Sequence, residues 1–289
     1  MRVTILGTGI LGRAVAERLH HSGQPVTVYN RTRSTAAPLA ELGITVAGSC
    51  QEAVKATDVI VLLLADAPAI RSVLFGNTAP DLTGRMVIQM GTIAPAESRS
   101  IAEAVKERGG DYCESPVLGS VAEARTGLLL VLFGGRQDQL DRLAEVFRPL
   151  TKCPTYIGPV GKASALKLAL NQLIAAEIAA FCLSLGLVQQ EHIDVEVFMR
   201  VLRDSALFAP AYEKKLPRLL ERNYHNPNFS TRHLLKDVRL ILAEAKTCGL
   251  STSGLDGVLP LLSHAINEGS GDLDYSAVYD AVNPRVRSF

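Results

Sequence analysis

The sequence predicts an α/β domain with a doubly wound sheet, followed by a long interdomain helix and an all-helical second domain. Three observations support this expectation. Short apolar runs alternate with amphipathic segments in the first half, the alternation stops near Gly158, and only helical periodicity follows. The Gly- and Pro-punctuated segment YIGPVGKAS at 156–164 separates the two patterns, so we place the domains at residues 1–160 and 161–289.

Five apolar runs are the predicted strands of the first domain. They lie at 3–7, 25–30, 58–65, 85–90 and 128–133. The run at 58–65 shows no polar alternation, as expected of a central strand that helices cover on both faces. The segments between the runs, such as ILGRAVAERLHHSG, have helical periodicity and end in Gly. Together these features predict a parallel sheet with helices on both faces.

The second domain is predicted to contain only helices. We place them at 162–190, 194–203, 210–221, 231–248 and 254–268. The first helix is long and apolar enough to be a candidate membrane span, but Lys167, Asn171, Gln172 and Glu177 would place polar groups in hydrocarbon. We therefore expect a buried helix and no membrane partner.

Composition excludes several classes of function. Thirty Lys and Arg against 29 Asp and Glu give a formal net charge of +1, which favours no nucleic-acid partner. The five cysteines are widely spaced and form neither a CxxC pair nor a Cys/His cluster, so we expect reduced thiols and no metal site. The opening MRVTILGTG shows no signal-peptide order, and we expect a cytoplasmic protein.

A glycine-rich loop follows the first predicted strand. Gly7, Gly9 and Gly12 form a GxGxxG motif, and Ile10 and Leu11 begin the next helix. The first glycine permits the tight turn, the second lets the backbone approach a pyrophosphate, and the third allows close helix packing, while the helix N–H groups face the anion. In this strand-to-helix position the motif predicts a Rossmann domain that binds a dinucleotide; the alternative is a glycine-rich turn without a ligand.

The loop after the second predicted strand indicates which dinucleotide is bound. NAD enzymes usually place a carboxylate here for the ribose 2′-hydroxyl, whereas this chain has Asn30, Arg31, Thr32 and Arg33. The two guanidinium groups suit a 2′-phosphate, and Asn30 and Thr32 offer hydrogen bonds to it. We therefore predict NADP/NADPH rather than NAD; the alternative is that the arginines belong to a solvated loop.

Further motifs occur in a fixed order along the chain. NRT follows the second strand, and ESPVLGS at 114–120, GPVGKASALKLALN at 158–171 and LLKDVRL at 234–240 come after it. The chain thereby resembles the β-hydroxyacid dehydrogenases, which include 3-hydroxyisobutyrate dehydrogenase, tartronate semialdehyde reductase and the glyoxylate/succinic semialdehyde reductases. GDLDYSAV at 271–278 is most similar to the glyoxylate/succinic semialdehyde reductase branch.

The resemblance implies an NADP-dependent oxidoreductase that acts on a CH–OH group. It also implies a small carboxylate-bearing aldehyde or hydroxy acid as substrate, and a homodimer or homotetramer formed through the second domain.

The resemblance identifies Lys167 as the proton donor and Asn171 as its companion. Residues three and four apart share one helix face, so Ser164, Lys167 and Asn171 form one polar stripe on an apolar helix. An enclosed amine can exchange a proton near neutral pH, because burial disfavours its charged form. The alternative is a lysine whose ammonium group only reaches for the surface.

Other contacts are implied by the resemblance alone. For the cofactor it adds Leu64, Ala65, Thr92 and Lys236. For the substrate it implies Thr92, Leu118, Gly119, Ser120, Phe229, Lys236 and Asp237. The alternative for Lys236 and Asp237 is an exposed pair on a helix.

The chain departs from the family pattern at three positions. Leu118 stands where the family has a serine that helps to hold the substrate carboxylate, Gly91 replaces a serine, and Ala163 replaces a glycine. The backbone of Gly119 and the side chain of Ser120 could still bind a carboxylate. Leu118 leaves the identity of the substrate open.

The leading hypothesis is an NADPH-dependent reductase of small aldehyde acids such as glyoxylate or succinic semialdehyde. A second enzymatic interpretation is a dehydrogenase of a 3-hydroxy acid such as 3-hydroxyisobutyrate, and an imine reductase is a more distant one. A catalytically inactive NADP-binding interaction module is the alternative from another class.

Overall fold

The computed structural model describes residues 1–55 and 57–284. In this part of the chain nine strands form one mixed sheet. The strands are β1 (Val3–Leu6), β2 (Val26–Tyr29), β3 (Thr45–Val46), β4 (Val59–Leu62), β5 (Met86–Gln89), β6 (Asp111–Glu114), β7 (Val117–Leu118), β8 (Leu130–Gly134) and β9 (Thr155–Gly158).

The sheet has the order β3-β2-β1-β4-β5-β6-β8-β7, and β9 also pairs with β8. Strands β1 to β6 are parallel to one another. The parallel arrangement is confirmed for the predicted strands β1, β2, β4 and β5, whereas β3 and β6 were not among the predicted strands. Strand β8 is antiparallel to β6 and β7, so the prediction of a wholly parallel sheet is wrong at this edge. The apolar run LLLVLF indicates burial, but the direction of a strand depends on its connections, which the run does not encode.

Helices and short helical turns connect the strands. The α-helices up to β9 are α1 (Ile10–His21), α2 (Arg33–Ala36), α3 (Cys50–Lys55), α4 (Ala67–Phe75), α5 (Pro95–Glu107), α6 (Val121–Thr126), α7 (Gln137–Arg142) and α8 (Ala144–Phe147). A 3₁₀ helix, Ala37–Leu42, follows α2.

Both faces of the sheet are buried, which confirms the doubly wound arrangement. Val59 and Val61 of β4 belong to one apolar cluster, and Ile60 and Leu62 of the same strand belong to another. Since successive side chains of a strand point to opposite faces, the two clusters are the two covered sides of one sheet.

The second half of the described chain is helical. Its α-helices are α9 (Lys162–Gln190), α10 (Val195–Arg203), α11 (Pro210–Glu221), α12 (Thr231–Thr247), α13 (Ser253–Asp256), α14 (Val258–Ala265) and α15 (Val278–Val282). The predicted bounds of α9 and α11 are confirmed, and those of α10 and α12 are met to within one residue. Leu234 and Val238 of α12 and Leu262 of α14 are fully buried in this half.

The single helix predicted at 254–268 is wrong. The chain forms α13, then α14, and then a π-helical turn, Ile266–Ser270, that contains Gly269 at φ 90°. Pro260 lies in the first turn of α14, where a missing backbone N–H costs no intrahelical hydrogen bond. Helical periodicity alone does not predict where one helix ends and the next begins.

The chain divides into two compact units, one up to Leu168 and one from Ala169 onward. The division falls inside α9. Within the residues that the structure describes, α9 is also the single helix long and apolar enough to cross a membrane, a test that core helices of globular proteins pass as well.

Candidate active site

The glycine-rich loop has the backbone that a pyrophosphate requires. Gly7 has φ 103°, and a Cβ there would lie 2.4 Å from the carbonyl oxygen of Leu63. A Cβ at Gly12 would lie 2.0 Å from the oxygen of Gly7, whereas a Cβ at Gly9 would meet no described atom within 4 Å. The first turn of α1, starting at Ile10, carries no acidic side chain. The loop therefore fits an anion held by backbone N–H groups, as in dinucleotide binding.

Asn30 connects this loop to the end of β2. Its Oδ1 accepts from the backbone N–H of Thr8 at 3.1 Å, and its Nδ2 donates to the oxygen of Thr32 at 2.9 Å and to Oγ1 of Thr35 at 3.0 Å. Both the oxygen and the nitrogen of the Asn30 side chain are thus engaged in hydrogen bonds within the protein. These bonds connect the glycine-rich loop to the turn after β2.

The two arginines of this segment are exposed. Arg31 lies in the turn after β2, and Arg33 begins α2 after Thr32. Neither guanidinium is buried, so both are accessible to a phosphate group beside the loop.

The loops after β4 and β5 lie close together at the carboxyl edge of the sheet, where ligands of doubly wound sheets bind. Strand β4 ends at Leu62, so Leu64 and Ala65 lie in the loop and not, as predicted, in the strand. A Cβ at Gly91 would lie 2.8 Å from the carbonyl oxygen of Leu64. The glycine in place of the family's serine therefore permits this approach. Thr92 follows and is half-buried.

The loop after β7 is hydrogen-bonded to a carboxylate of α6 that we did not predict. The backbone N–H and the hydroxyl of Ser120 both donate to Oε2 of Glu123, each at 2.8 Å. Because a hydroxyl carries one proton, the Ser120 hydroxyl is engaged by Glu123. Gly119 has φ 112°, and Leu118 is half-buried. The S-x-x-E spacing of a capping box is the sequence signal that could have identified Glu123.

The polar stripe on α9 is buried. Lys167 is 8% exposed, and Ser164, one turn earlier, is 4% exposed. The interpretation in which the Lys167 ammonium reaches into solvent does not agree with this burial. An enclosed amine at this position is suited to proton transfer.

A second unpredicted carboxylate lies beside the start of α9. Glu114 ends β6 and is fully buried, and its Oε1 accepts from the N–H groups of Gly161 at 2.8 Å and Ser164 at 3.0 Å. Its Oε2 accepts from the Ser164 hydroxyl at 2.7 Å. The motif ESPVLGS contains this residue, but its pattern does not show that the carboxylate meets a helix some 50 residues later.

Asn171, Lys236 and Asp237 form one cluster in the second unit. Asn171 Nδ2 donates to Asp237 Oδ2 at 2.7 Å, and Lys236 Nζ lies 2.8 Å from Asp237 Oδ1. Asp237 is 1% exposed, so the alternative of an exposed lysine–aspartate pair is wrong for the aspartate. A buried carboxylate of this kind needs both partners to offset its desolvation.

Phe229 lies just before α12 and packs against two aromatic side chains. Its ring meets Tyr275 edge-on at 5.8 Å and stacks on His233 at 6.4 Å between centroids. Tyr275 also donates its backbone N–H to the oxygen of Phe229 at 3.0 Å. Phe229 is half-buried, and Tyr275 of the segment GDLDYSAV at 271–278 holds it in place.

Among residues 1–55 and 57–284, no group of three or more His, Cys, Asp or Glu could hold a metal ion. All five cysteines are free thiols. Burial raises the pKa of Cys50 and of Cys182 to about 12, so these thiols are poor nucleophiles at neutral pH.

Two family models match successive parts of the chain. Residues 2–158 match the family model described as the NAD binding domain of 6-phosphogluconate dehydrogenase. Residues 161–282 match the model described as NAD-binding of NADP-dependent 3-hydroxyisobutyrate dehydrogenase.

Individual relatives extend over nearly the whole chain. Glyoxylate/succinic semialdehyde reductase 1 of Arabidopsis thaliana is 32% identical over 285 residues, covering 98% of each chain. The 2-hydroxy-3-oxopropionate reductase of Escherichia coli is 28% identical and covers 98% of this chain and 97% of its own. A crystal structure of 3-hydroxyisobutyrate dehydrogenase from Salmonella typhimurium superposes with a TM-score of 0.87 at 24% identity, over 97% and 99% of the two chains.

These matches cover both domains, and the glycine-rich loop fits the dinucleotide that the family models describe. The chain therefore belongs to the β-hydroxyacid dehydrogenase family and is an NAD(P)-dependent oxidoreductase that acts on the hydroxyl group of hydroxy acids.

Proposed function

We propose that this protein is an NADPH-dependent reductase of small aldehyde acids such as glyoxylate and succinic semialdehyde. The observation that carries the proposal is the buried Lys167 on the polar face of α9, in a chain whose relative at 32% identity is a glyoxylate/succinic semialdehyde reductase. A buried amine has a chemical use in aldehyde reduction, because the carbonyl oxygen gains negative charge and then a proton.

The cofactor contacts are divided among several loops. NADPH, when bound, supplies a hydride. The N–H groups of the GxGxxG loop and of the start of α1 would hold its pyrophosphate, and Arg31 and Arg33 its 2′-phosphate. Leu64, Ala65, Thr92 and Lys236 are the further cofactor-binding residues of the proposal.

Lys167 would donate a proton from Nζ to the carbonyl oxygen of the substrate. Asn171 follows one turn later on the same helix face. Since its Nδ2 donates to Asp237, its Oδ1 is directed to accept a hydrogen bond, from an ammonium or from the alcohol product. We expect Asn171 to hold the donor and not to donate the proton.

Substrate discrimination would come from Leu118, Gly119 and Ser120. Leu118 offers no hydroxyl, and Ser120 can bind a substrate carboxylate only by giving up Glu123. We therefore expect this loop to bind short carboxylates less tightly than a loop with a free hydroxyl would. Thr92, Phe229, Lys236 and Asp237 complete the proposed substrate contacts.

The second candidate is oxidation of a 3-hydroxy acid of the 3-hydroxyisobutyrate type. The match of residues 161–282 to the 3-hydroxyisobutyrate dehydrogenase model favours it. The two reactions share the residues above and differ in the physiological direction. Comparing turnover of NADPH with a semialdehyde against NADP with the hydroxy acid at neutral pH separates them.

The central experiment is an NADPH-oxidation screen. Glyoxylate, succinic semialdehyde, tartronate semialdehyde and methylglyoxal are supplied to the wild-type protein and to Lys167→Ala. We expect turnover of at least one aldehyde acid by the wild type and loss of this turnover in the variant. Binding of NADPH without turnover of any compound would favour a cofactor-binding interaction module instead.

We also propose that the protein is a cytoplasmic homodimer or homotetramer without a membrane partner. Large apolar side chains are exposed one turn apart on two helices of the second unit: Leu183 and Leu187 on α9, and Val197 and Val201 on α10. Exposed apolar side chains in such number are typical of subunit contacts. Light scattering coupled to size-exclusion chromatography measures the number of subunits, and Leu183→Glu combined with Leu187→Glu should lower it.

A further inference from the structure

We propose that Glu114 is a positioning residue, which holds the first turn of α9 in the orientation that places Lys167 for proton transfer. This inference rests on the proposed function, in which Lys167 is the proton donor. Glu114 itself does not need to touch the substrate or cofactor.

Glu114 binds α9 through both carboxylate oxygens. Oε1 accepts the N–H groups of Gly161 at 2.8 Å and Ser164 at 3.0 Å, and Oε2 accepts the Ser164 hydroxyl at 2.7 Å. Oε2 also accepts a short hydrogen bond from the hydroxyl of Ser98 on α5. The carboxylate therefore connects the end of β6 and one face of α5 with the start of α9.

A glycine on the neighbouring strand leaves space for the Glu114 side chain. Gly134 on β8 is the residue paired with Glu114 across the sheet. A Cβ at Gly134 would lie 2.6 Å from Oε1 and 2.7 Å from Cγ of Glu114, so the side chain fits only opposite a glycine. The Tyr112 hydroxyl lies 2.9 Å from the Ser98 hydroxyl and continues this hydrogen-bond network away from α9. Glu114 is thus a fully buried carboxylate for which the sheet makes specific room.

The bonds fix the rotation of the helix about its axis. The first N–H groups of a helix have no intrahelical acceptor, and a carboxylate that takes two of them holds both their position and their direction. Lys167 follows Ser164 by three residues, so the two side chains share a face. A change in the orientation of this turn changes the direction in which the Lys167 side chain points. Misplacing a catalytic group by about 1 Å can lower the rate by about 10²-fold.

A purely structural role for Glu114 makes a different prediction. It would change the fraction of molecules that fold, but not the rate per folded molecule. The test therefore counts folded molecules by stoichiometric titration with NADPH and expresses kcat per binding site. The substrate is the best one found in the screen of the wild-type protein.

Three variants of the full chain are compared. Glu114→Ala removes all the hydrogen bonds, and Glu114→Gln keeps an oxygen that can accept both helix N–H groups. Asp111→Asn is the matched control, because Asp111 lies at the opposite end of the same strand and forms ion pairs with Arg136 and Arg142.

We expect Glu114→Ala to lower kcat per binding site by about tenfold or more, with the Kd of NADPH changed by less than about threefold. Glu114→Gln should recover kcat to within about threefold of the wild type, and Asp111→Asn should leave it unchanged. The inference is wrong if Glu114→Ala keeps the wild-type kcat per site, or if Glu114→Gln is as impaired as Glu114→Ala.

A fourth variant, Gly134→Ala, keeps the inference testable if Glu114→Ala does not fold. Gly134→Ala keeps the carboxyl group but displaces it, because the added Cβ would lie 2.6 Å from Oε1 of Glu114, and it should also lower kcat per binding site. An unchanged kcat there would contradict the positioning role. Lys167→Ala, measured in parallel, separates the two proposals: if it keeps its rate, the proposed function is wrong, whereas if only the Glu114 and Gly134 variants keep theirs, the positioning role alone is wrong.

Discussion

Asn171 donates a hydrogen bond of 2.7 Å from Nδ2 to Oδ2 of Asp237, and both side chains are almost fully buried. Because a carboxylate can only accept, the Asn171 amide must present its nitrogen to Asp237 and its oxygen elsewhere. Among the described residues Oδ1 of Asn171 has no hydrogen-bond partner. The pair thus turns an amide that could donate or accept into an acceptor, four residues after Lys167 on α9.

Exchanging this amide for an acid should destabilise the protein in a pH-dependent way. Asn171→Asp places two buried carboxylates in contact, and like charges at this distance cannot both ionise without cost. We expect a Tm below that of Asn171→Ala at pH 7.5 and a smaller difference at pH 5, where a shared proton restores a donor. Differential scanning fluorimetry measures both values, and equal deficits at the two pH values would contradict the arrangement.

Removing the Lys167 amine should abolish most turnover. Lys167→Ala is expected to lower kcat by about 10² to 10⁴-fold, the usual contribution of a general acid, with the Kd of NADPH nearly unchanged. Lys162→Ala is the matched control, because it removes an exposed lysine from the first turn of the same helix. Stopped-flow measurement of NADPH oxidation gives kcat, and near-normal turnover in Lys167→Ala would exclude the assigned role.

The two exposed arginines after β2 should determine the choice of cofactor. Arg31→Ala combined with Arg33→Ala removes two charge-assisted contacts, each worth about 1.5–3 kcal/mol, so the Kd of NADPH should rise by about 10² or more. The Kd of NADH should change little. Fluorescence titration with both nucleotides tests this, and Arg148→Ala, at an exposed site outside the loop, serves as control. Equal losses for the two nucleotides would remove the 2′-phosphate assignment.

Glu123 should weaken the binding of carboxylate substrates. Glu123→Gln removes a negative charge next to Ser120 and leaves a weaker competitor for its hydroxyl. We expect KM for glyoxylate and succinic semialdehyde to fall several-fold, while KM for the uncharged methylglyoxal stays constant. Glu103→Gln, an exposed change on α5, controls for net charge. A uniform change across all substrates would show that Glu123 only caps α6.

Glu17 should make folding stability fall at acidic pH. Burial alone raises the pKa of Glu17, but hydrogen bonds and charges from Arg13 and Arg125 outweigh it, and the pKa lies below its ordinary value of 4.5. A lowered folded-state pKa stabilises the protein above that ordinary value, and the stabilisation is lost as the pH falls through the folded-state pKa. Urea unfolding at pH 7 and pH 4 should therefore show a smaller drop in Glu17→Gln than in the wild type.

Several features follow from local sequence alone, and the structure agrees with them. The bounds of α9 and α11 were predictable because their apolar periodicity and terminal residues act within one or two turns. The same holds for the spacing of the GxGxxG loop and for the steric demand on Gly12, which comes from Gly7. The steric demand on Gly7 comes from Leu63 after β4 and is not local. Family membership also follows, because it depends on the order and spacing of such local motifs.

Other features depend on contacts between residues far apart in the chain. Strand β6, DYCE, contains two carboxylates and shows no apolar run, yet Glu114 is buried because α9 supplies donors to it. The antiparallel direction of β8 depends on how the chain returns after β7. Polar residues carry no local mark of being buried; a buried carboxylate is stable only once its hydrogen-bond donors have been brought to it. For this reason a motif could single out Lys167 as a candidate, whereas the hydrogen bonds of Glu114 and the pairing of Asn171 with Asp237 emerged only from the folded arrangement.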